Sequence, residues 1–400
     1  MKAMILAAGE GARMRPLTET RPKVMLPIAN RPILEHLLLE VREAGIGEFI
    51  LVVGYRDEQV RDYFGDGGKW GVKIEYCTQR KQLGTADAVR ICQGMTSGDF
   101  LMINGDIMVN REDIRQVLAQ KGTAMSVVEV KDVRGLGTVE LKEGRVVKVR
   151  EKSLTTPSRM ANAGLYRFTP DILTAIDQTP LSPRGEYEIT SSLQLMIDRG
   201  QEVFYQELGY WLNLSYPWDL LWANESLLAG LAVQNLGQIE ENVVIRGAVS
   251  IGENTLIRSG SYLAGPVVIG ANCDIGPHCY IRPSTAIGDR CHIGAAVEVK
   301  NSIVMKGSKI PHLSYVGDSV IGENCNLGAG TNVANLRLDG KEVEVAGIST
   351  GRRKLGAIIG DGVETGINSS INIGTMIGSN ARIGPRALAH GVIAPGASIF

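Results

Sequence analysis

The stretch Val267-Val-Ile269-Gly-Ala-Asn-Cys273-Asp-Ile275-Gly-Pro-His-Cys279-Tyr-Ile281 decides the fold of the second half of the chain. Its isoleucines stand six residues apart. The spacing runs on in both directions without a miss, through Ile239, Ile245, Ile251, Ile257, Leu263, Ile269, Ile275, Ile281, Ile287, Ile293 and Val299. A period of six fits neither an amphipathic helix, with its repeat of about 3.6, nor an alternating strand, with its repeat of about 2. It is the signature of a parallel β-helix made of hexapeptides. Each unit supplies a short strand with one inward aliphatic side chain and then a turn. Glycine directly after the aliphatic residue, at Gly252, Gly270, Gly276, Gly288 and Gly294, is expected to serve that turn by taking positive φ. The repeat is interrupted around residues 334–356 and resumes with Ile359, Thr365, Ile371, Ile377 and Ile383. The charged interruption reads as a loop projecting from the solenoid, where insertions tend to carry function.

Upstream of the repeat the pattern changes. Residues 2–6, 49–53, 74–76 and 100–103 read as buried strands, and residues 33–44, 57–63, 85–93 and 111–119 as helices between or after them. That alternation predicts an α/β domain with a largely parallel sheet. Further strands at 124–130, 146–150 and 165–168 and a helix at 189–198 extend it. Residues 217–229, opened by Pro217 and closed by Gly230, read as a linking helix. Two domains are therefore expected, 1–230 and 231–400, as the length of 400 residues also favours.

Composition sets limits. Hydrophobic residues at 44% and charged ones at 21% describe a soluble globular chain, and a net charge of -1 argues against a polyanion-binding surface, hence no nucleic acid. No apolar run approaches membrane-spanning length, so no membrane partner is expected. Six cysteines without a C-x-x-C pair make zinc and a disulfide framework poor readings; a reduced, cytoplasmic protein with small buried thiols is expected.

The chemistry of the first half begins at Leu6-Ala-Ala-Gly9-Glu-Gly11-Ala-Arg13, directly after the first strand. Only small residues let a backbone approach a triphosphate closely, and backbone amides donate to phosphate oxygens. The spacing is neither that of the P-loop nor the dinucleotide fingerprint. Arg13 and Pro22-Lys23-Val24 place two cations soon after this loop. Gln79-x-x-Gln82-Leu-Gly84-Thr85 follows, and then Asn104-Gly105-Asp106 at the end of the fourth strand. An acidic residue just past a parallel strand sits at the carboxyl edge of the sheet, where open α/β folds bind ligands and where Mg2+ could be held.

Taken together and in this order, these motifs resemble the sugar-1-phosphate nucleotidyltransferase family across essentially the whole first domain. The resemblance implies a Rossmann-like nucleotidyltransferase domain. It also implies that Gly9 and Gly11 hold the nucleotide through its phosphates, and Gln79 and Gly84 through its base. Arg13 and Lys23 would stabilise charge, and Asp106 with Asn213 would bind Mg2+. Gly137, Glu151 and Asn162 would contact the sugar phosphate, with Tyr187 a weaker candidate. Asn213 and Pro22-Lys23-Val24 look uridylyl-like, whereas Arg15-Pro16-Leu17-Thr18 and Gly209-Tyr210-Trp211 look thymidylyl-like. UTP and dTTP both stay open as the nucleotide.

Within the repeat, Val297-Glu298-Val299-Lys300-Asn301, His312-Leu-Ser-Tyr315-Val-Gly-Asp318, Asn324-Cys-Asn326-Leu-Gly-Ala329-Gly330 and Asn335 form a polar block in an otherwise aliphatic solenoid. It resembles the acetyltransferase half of the bifunctional N-acetylglucosamine-1-phosphate uridylyltransferase/glucosamine-1-phosphate acetyltransferases. In that family the domain is a left-handed β-helix that trimerises, with acetyl-CoA sites between subunits; a homo-oligomer, a trimer or a dimer of trimers, is the implied assembly. By the resemblance, Arg282, Lys300 and Tyr315 grip the sugar phosphate, and Asn326 and Asn335 position the amino sugar. Acetylating an amine needs a base, and His312 supplies an imidazole that titrates in the useful range. Glu298 would orient that ring, and the Ala329 amide would face the thioester oxyanion. Two departures are visible. Ile367 stands where the family has a coenzyme-contacting serine, and Pro385 where it has an alanine. The expected function is acetyl-CoA-dependent acetylation of glucosamine-1-phosphate followed by uridylyl transfer from UTP. The alternative is a single nucleotidyltransferase acting on glucose-1-phosphate, with the β-helix as a scaffold.

Overall fold

The structure, a computed structural model, describes residues 1–133, 135–151 and 158–400. The chain divides into two compact units. One comprises Met1–Glu10, Pro22–Met25 and Ile33–Asn213; the other comprises Gly11–Arg21, Leu26–Pro32 and Leu214–Phe400.

The first unit is a nine-stranded sheet flanked by helices. In chain order its strands are β1 (Lys2–Ala7), β2 (Glu48–Val53), β3 (Lys73–Thr78), β4 (Phe100–Asn104), β5 (Thr123–Glu129), β6 (Thr138–Lys142), β7 (Arg145–Arg150), β8 (Met160–Phe168) and β9 (Val203–Glu207). They lie in the order β3-β2-β1-β4-β8-β5-β9-β7-β6. The helices are α1 (Ile33–Glu43), α2 (Asp57–Phe64), α3 (Thr85–Arg90), α4 (Arg111–Ala119), α5 (Asp171–Asp177) and α6 (Ile189–Asp198). Strands β1, β2 and β4 are almost wholly buried aliphatic runs, as central parallel strands covered on both faces must be. From β1 the chain moves outward to β2 and β3, then returns to place β4 on the other side of β1. This reversal makes the carboxyl ends of β1 and β4 a topological switch point.

The expectation of a largely parallel sheet holds for β3-β2-β1-β4 and for the pair β5–β9, and not for the rest. Strand β8 runs antiparallel to β4 and to β5, and β7 antiparallel to β6 and β9. The cause is local. Glu143 and Gly144, both at positive φ (49° and 77°), close a two-residue hairpin between β6 and β7, and so short a link can only join antiparallel strands.

The second unit is a three-sided left-handed parallel β-helix preceded by α7 (Asp219–Ala229). Its short strands stack into one sheet of nine and two of eight. Successive coils pair residues eighteen apart, as in Leu256↔Asp274 and Asp274↔His292, so three hexapeptides make one coil. The inward residues Ile257, Leu263, Ile275, Ile281, Ile287, Ile293 and Val299 are fully buried in one continuous core. Each such side chain contributes about 1.5–3 kcal/mol by leaving water.

Three features of the repeat differ from the expectation. Ile239 and Ile245 keep the period but are 40% and 36% exposed, because they belong to the first coil, which is covered on one side only. The glycines after the aliphatic residues, Gly276 excepted, are not at positive φ. They let coils approach, since a Cβ on Gly294 would come within 1.9 Å of the Pro311 carbonyl oxygen. Positive φ instead falls farther along each turn, at Asn254, Asn272, Arg290 and Asn324 among others. Finally, the period breaks after Val299 because the steps to Val304 and from Val316 to Ile321 are one residue short; the corresponding coil pairings, Ile287↔Val304 and Val304↔Ile321, are seventeen apart.

The interruption leaves the solenoid at Asn335, after the strand Asn332–Val333, and returns at Gly356, closed by the Leu355 amide donating to the Asn335 carbonyl at 3.0 Å. It carries a hairpin, Glu344–Val345 against Ile348–Ser349, and its Val343 and Val345 are buried. In the same unit, the Gly11–Arg21 segment ends on Arg21, whose buried guanidinium donates to Glu323 at 2.7 Å and to Asp361. Among the described residues no helix is long and apolar enough to cross a membrane. All six cysteines are free thiols, five of them buried.

Candidate active sites

In the first unit, the ends of β1, β2 and β3 converge. Gly54 has no Cβ because one would lie 2.9 Å from both the Ala8 and Gln79 carbonyl oxygens. The Gln82 side chain donates to the Ala8 carbonyl at 2.8 Å, tying the Gln79–Gly84 loop to the turn at Gly9, where a Cβ would meet open space. Gln79 is itself buried and spends its amide N–H groups on Gly84 O (3.1 Å) and Asp87 (3.0 Å), so it holds the loop and the start of α3. Gly84, at φ 105°, sits so close to residue 187 that a Cβ would fall 2.5 Å from the Tyr187 carbonyl oxygen. Tyr187 thereby packs its backbone beneath the loop.

At the end of β4 the Gly105 amide donates to Leu6 O at 2.9 Å, and a Cβ there would lie 2.6 Å from that oxygen. Asp106 follows at the edge of the sheet, and buried Lys23 donates to its carboxylate at 2.7 Å. Residues Ile107–Met108 pair antiparallel with Leu212–Asn213, which sets Asn213 opposite Ile107 and next to Asp106. Gly137, Glu151 and Asn162 also meet: a Cβ on Gly137 would lie 3.4 Å from Glu151 Oε2 and 3.5 Å from Asn162 Cβ. The register of β8 on β4, with Leu165 opposite Ile103, carries Asn162 beyond the end of β4. The Asn162 amide donates to the buried Tyr166 hydroxyl at 2.6 Å; burial raises that phenol's pKa.

In the second unit, Gly11 adopts a left-handed conformation (φ 71°) and precedes a short 3-10 turn, Ala12–Met14, that carries Arg13. The Arg13 guanidinium lies 5.7 Å from the Tyr216 ring centroid.

The β-helix places the acetyl-transfer candidates at two corners. At the first, His312 is exposed at the end of its strand, and the Gly330 amide donates to its carbonyl at 3.1 Å. The coil register puts Ala329 on His312, Ile367 on Ala329 and Pro385 on Ile367, in one column. At the second corner, Arg282 donates to Glu298 at 2.7 Å, a bond that raises the Arg282 pKa. Lys300 donates to Asp318 at 2.8 Å, and Asn335 donates to Asp318 at 2.6 Å and to the Tyr315 hydroxyl at 3.0 Å. Burial raises the Tyr315 phenol, partly opposed by the Asn335 bond. Glu298 therefore pairs with Arg282 rather than with His312. Asn326 is exposed on the face stacked with Lys309 and Glu364, away from the Lys300 face.

Two family models match the chain: the nucleotidyl transferase family over residues 2–230, and the GMPPB C-terminal domain over residues 263–350. A bifunctional sugar-1-phosphate nucleotidylyltransferase/acetyltransferase of Sulfurisphaera tokodaii is 42% identical over 98% of this chain and 97% of its own. The chain belongs to the bifunctional sugar-1-phosphate nucleotidylyltransferase/acetyltransferase family. A bifunctional protein GlmU of Methanocaldococcus jannaschii is also 42% identical, over 97% of this chain and 94% of its own. A Bacillus anthracis crystal structure, provisionally assigned as a glucose-1-phosphate thymidylyltransferase and solved with sucrose, superposes with a TM-score of 0.53 at 26% identity. It covers 59% of this chain and 98% of its own.

As a member of that family the chain is an enzyme, a transferase of both nucleotidyl and acetyl groups. Several residues beside its candidate sites were assigned no role from the sequence. Arg184 and Thr190 donate to the two Glu151 oxygens at 3.1 and 3.0 Å, fixing that carboxylate beside Gly137 and Asn162. Asp318 collects Lys300, Asn301 and Asn335. Each of these contacts joins residues from 17 to 39 positions apart. In the insertion, Arg352 is buried, donates to Glu225 and lies 4.4 Å from the Trp222 ring centroid, so it braces the fold.

Proposed function

We propose that residues 231–400 acetylate glucosamine-1-phosphate with acetyl-CoA, and that residues 1–230 then transfer a uridylyl group from UTP to the N-acetylglucosamine-1-phosphate produced. The observation that carries the acetyl-transfer half is the union of Lys300, Tyr315 and Asn335 around one buried carboxylate, in a β-helix whose other column holds His312 and Ala329 together. A scaffold alone has no need for such a cluster of polar groups. Neutral His312 would take the proton from the acceptor amine as the amine attacks the thioester carbon. The backbone at Ala329 would stabilise the oxyanion, and coenzyme A would leave as its thiol.

In the first half, the phosphate oxygen of the sugar attacks the α-phosphorus in line and pyrophosphate leaves. Positioning and cationic charge carry such a reaction, which is the work assigned to Arg13 and Lys23. Asp106 and Asn213 would hold Mg2+. One carboxylate and one amide suit an ion that keeps most of its ligands as water and phosphate, and no group of three His, Cys, Asp or Glu residues gathers among the described residues to suit another metal. When bound, Mg2+ supplies charge stabilisation to the triphosphate. The reading includes a cytoplasmic homo-oligomer, a trimer or a dimer of trimers. A second reading, a dTTP- or UTP-dependent enzyme of glucose-1-phosphate with a structural β-helix, is favoured by Arg15-Pro16-Leu17-Thr18 and by the Bacillus anthracis likeness.

Purified protein given glucosamine-1-phosphate, acetyl-CoA and Mg2+ should release thiol only when the sugar is present. Adding UTP should then release pyrophosphate. Pyrophosphate release with glucose-1-phosphate but no sugar-dependent thiol would favour the second reading.

A further inference from the structure

The second corner of the β-helix is organised by Asp318, which closes the His312–Asp318 motif and was assigned no role from the sequence. Asp318 is 2% exposed and adopts φ 51°. Three donors converge on its carboxylate: Lys300 Nζ at 2.8 Å and Asn335 Nδ2 at 2.6 Å on Oδ2, and Asn301 Nδ2 at 2.8 Å on Oδ1. A carboxylate only accepts, so it dictates which end of each neighbour faces it.

For Asn335 the consequence is a fixed amide. Its N–H groups go to Asp318 and to the Tyr315 hydroxyl. Turned over, the amide would set its carbonyl oxygen against the carboxylate. Asn335 Oδ1 is thus directed away from Asp318 as an acceptor. Tyr315, having accepted from Asn335, keeps its own O–H proton for another partner. Lys300 spends one N–H on Asp318 and keeps two. One buried carboxylate therefore sets an acceptor at Asn335 and donors at Tyr315 and Lys300. An amino-sugar phosphate offers the complement, with N–H donors at one position and phosphate acceptors at another. Behind Asp318, Asn301 also donates to Glu225 at 2.9 Å, and Glu225 accepts from Arg352 of the insertion, so the same corner is braced from outside.

We propose that Asp318 is the positioning residue of acetyl transfer, orienting Asn335 as the acceptor for the amine and Lys300 as a donor to the phosphate. The proposal rests on the acetyl-transfer reading above.

Asp318→Asn is the direct test, because it is isosteric and asparagine tolerates positive φ. It removes the charge that both donors share. The KM for glucosamine-1-phosphate should rise about ten-fold or more, the loss expected for charge-assisted hydrogen bonds. The KM for acetyl-CoA should stay within about two-fold, and pyrophosphate release from UTP and supplied N-acetylglucosamine-1-phosphate should be unchanged, since the proposal gives this carboxylate a part in neither. Asn335→Asp, which sets a second carboxylate against Asp318, should show the same KM rise. The reciprocal double variant, D318N with N335D, restores one amide facing one carboxylate and should recover much of the loss.

An unchanged KM in Asp318→Asn would overturn the proposal. So would a double variant no better than the worse single, or losses that merely follow falling melting temperatures. If Asp318→Asn does not fold, Asn335→Asp and the reciprocal pair still decide the matter. Wild-type protein that releases no thiol would sink the acetyl-transfer reading itself; wild-type release with an unaltered variant KM would sink only the role of Asp318.

Discussion

Replacing Arg21 with methionine probes how the Gly11–Arg21 segment is held within the β-helix unit. Arg21 is 8% exposed and its guanidinium donates to Glu323 at 2.7 Å and to Asp361, while Thr20 also donates to Asp361 and Glu19 accepts from the Ser379 amide at 2.9 Å. Burial by itself lowers the Arg21 pKa, but the two carboxylates outweigh it and leave it above its ordinary value, so the guanidinium stays charged. Methionine fills much of the stem's volume and removes the charge. Removing one partner of a buried ion pair costs about 3–5 kcal/mol. The stranded side chains of Glu323 and Asp361 are 32% and 17% exposed and regain some hydration, which brings the expected loss to about 2–3 kcal/mol. Urea denaturation of the full chain, followed by far-ultraviolet circular dichroism, should show the β-helix transition at lower urea with its slope unchanged. The loss should persist at about 0.5 M salt, where exposed pairs are screened. A loss below about 0.5 kcal/mol, or one that vanishes at about 0.5 M salt, would refute the reasoning and return Arg21 to the class of surface ion pairs.

Lys23→Met removes the buried cation 2.7 Å from Asp106 and should lower kcat for pyrophosphate release about 10²–10³-fold, while thiol release by the same preparation is unchanged. Equal loss of both would show that the activities are not separable. Ile281→Ala empties a fully buried site between Leu263 and Val299 and should cost about 2–5 kcal/mol in denaturant titrations. Ile239→Ala, at a position 40% exposed, should cost less than about 1 kcal/mol. Burial pushes the Cys325 thiol up to about 12 from an ordinary value near 9. The folded pKa exceeds the unfolded one, so this contribution is complete below about pH 9 and is lost as pH climbs from there toward 12, at up to ~1.4 kcal/mol per pH unit. Stability measured at successive pH values should show a shallower alkaline decline in Cys325→Ala.

The β-helix was legible because burial leaves a periodic trace. One inward aliphatic residue in six is a strong constraint, and Ile257, Ile275 and Ile293 obey it through one unbroken core. The turns left a weaker trace. Glycine was read as the residue of positive φ, yet Gly270 and Gly288 are needed for the close passage of the next coil, and Asn272 and Arg290 take the left-handed conformation. A glycine looks the same in sequence whether it supplies a dihedral or a missing Cβ. The one-residue deletions after Val299 and Val316 were invisible for a similar reason. A period records which residues turn inward, and says nothing of how a corner closes.

The candidate sites divide along the same line. The Lys23, Asp106 and Asn213 neighbourhood follows from chain order, because an acidic residue after β4 must emerge at the switch point of the sheet. Glu298 shows where such reasoning stops. It was expected to orient His312, and its side chain pairs with Arg282 one coil away. Glu298 begins the strand Glu298–Lys300, stacked between Tyr280 and Tyr315, whereas His312 ends a strand of another sheet, opposite Ala295. Strand stacking places residues seventeen or eighteen positions apart side by side, so an acidic residue here meets the arginine sixteen positions earlier before it meets a histidine on another face. The same geometry brings Lys300, Asp318 and Asn335 together, at separations of eighteen and seventeen. A polar network across coils is therefore found by stepping along the sequence one coil at a time. Read that way, Asp318 stands out as the acidic residue that two candidate substrate-binding donors share.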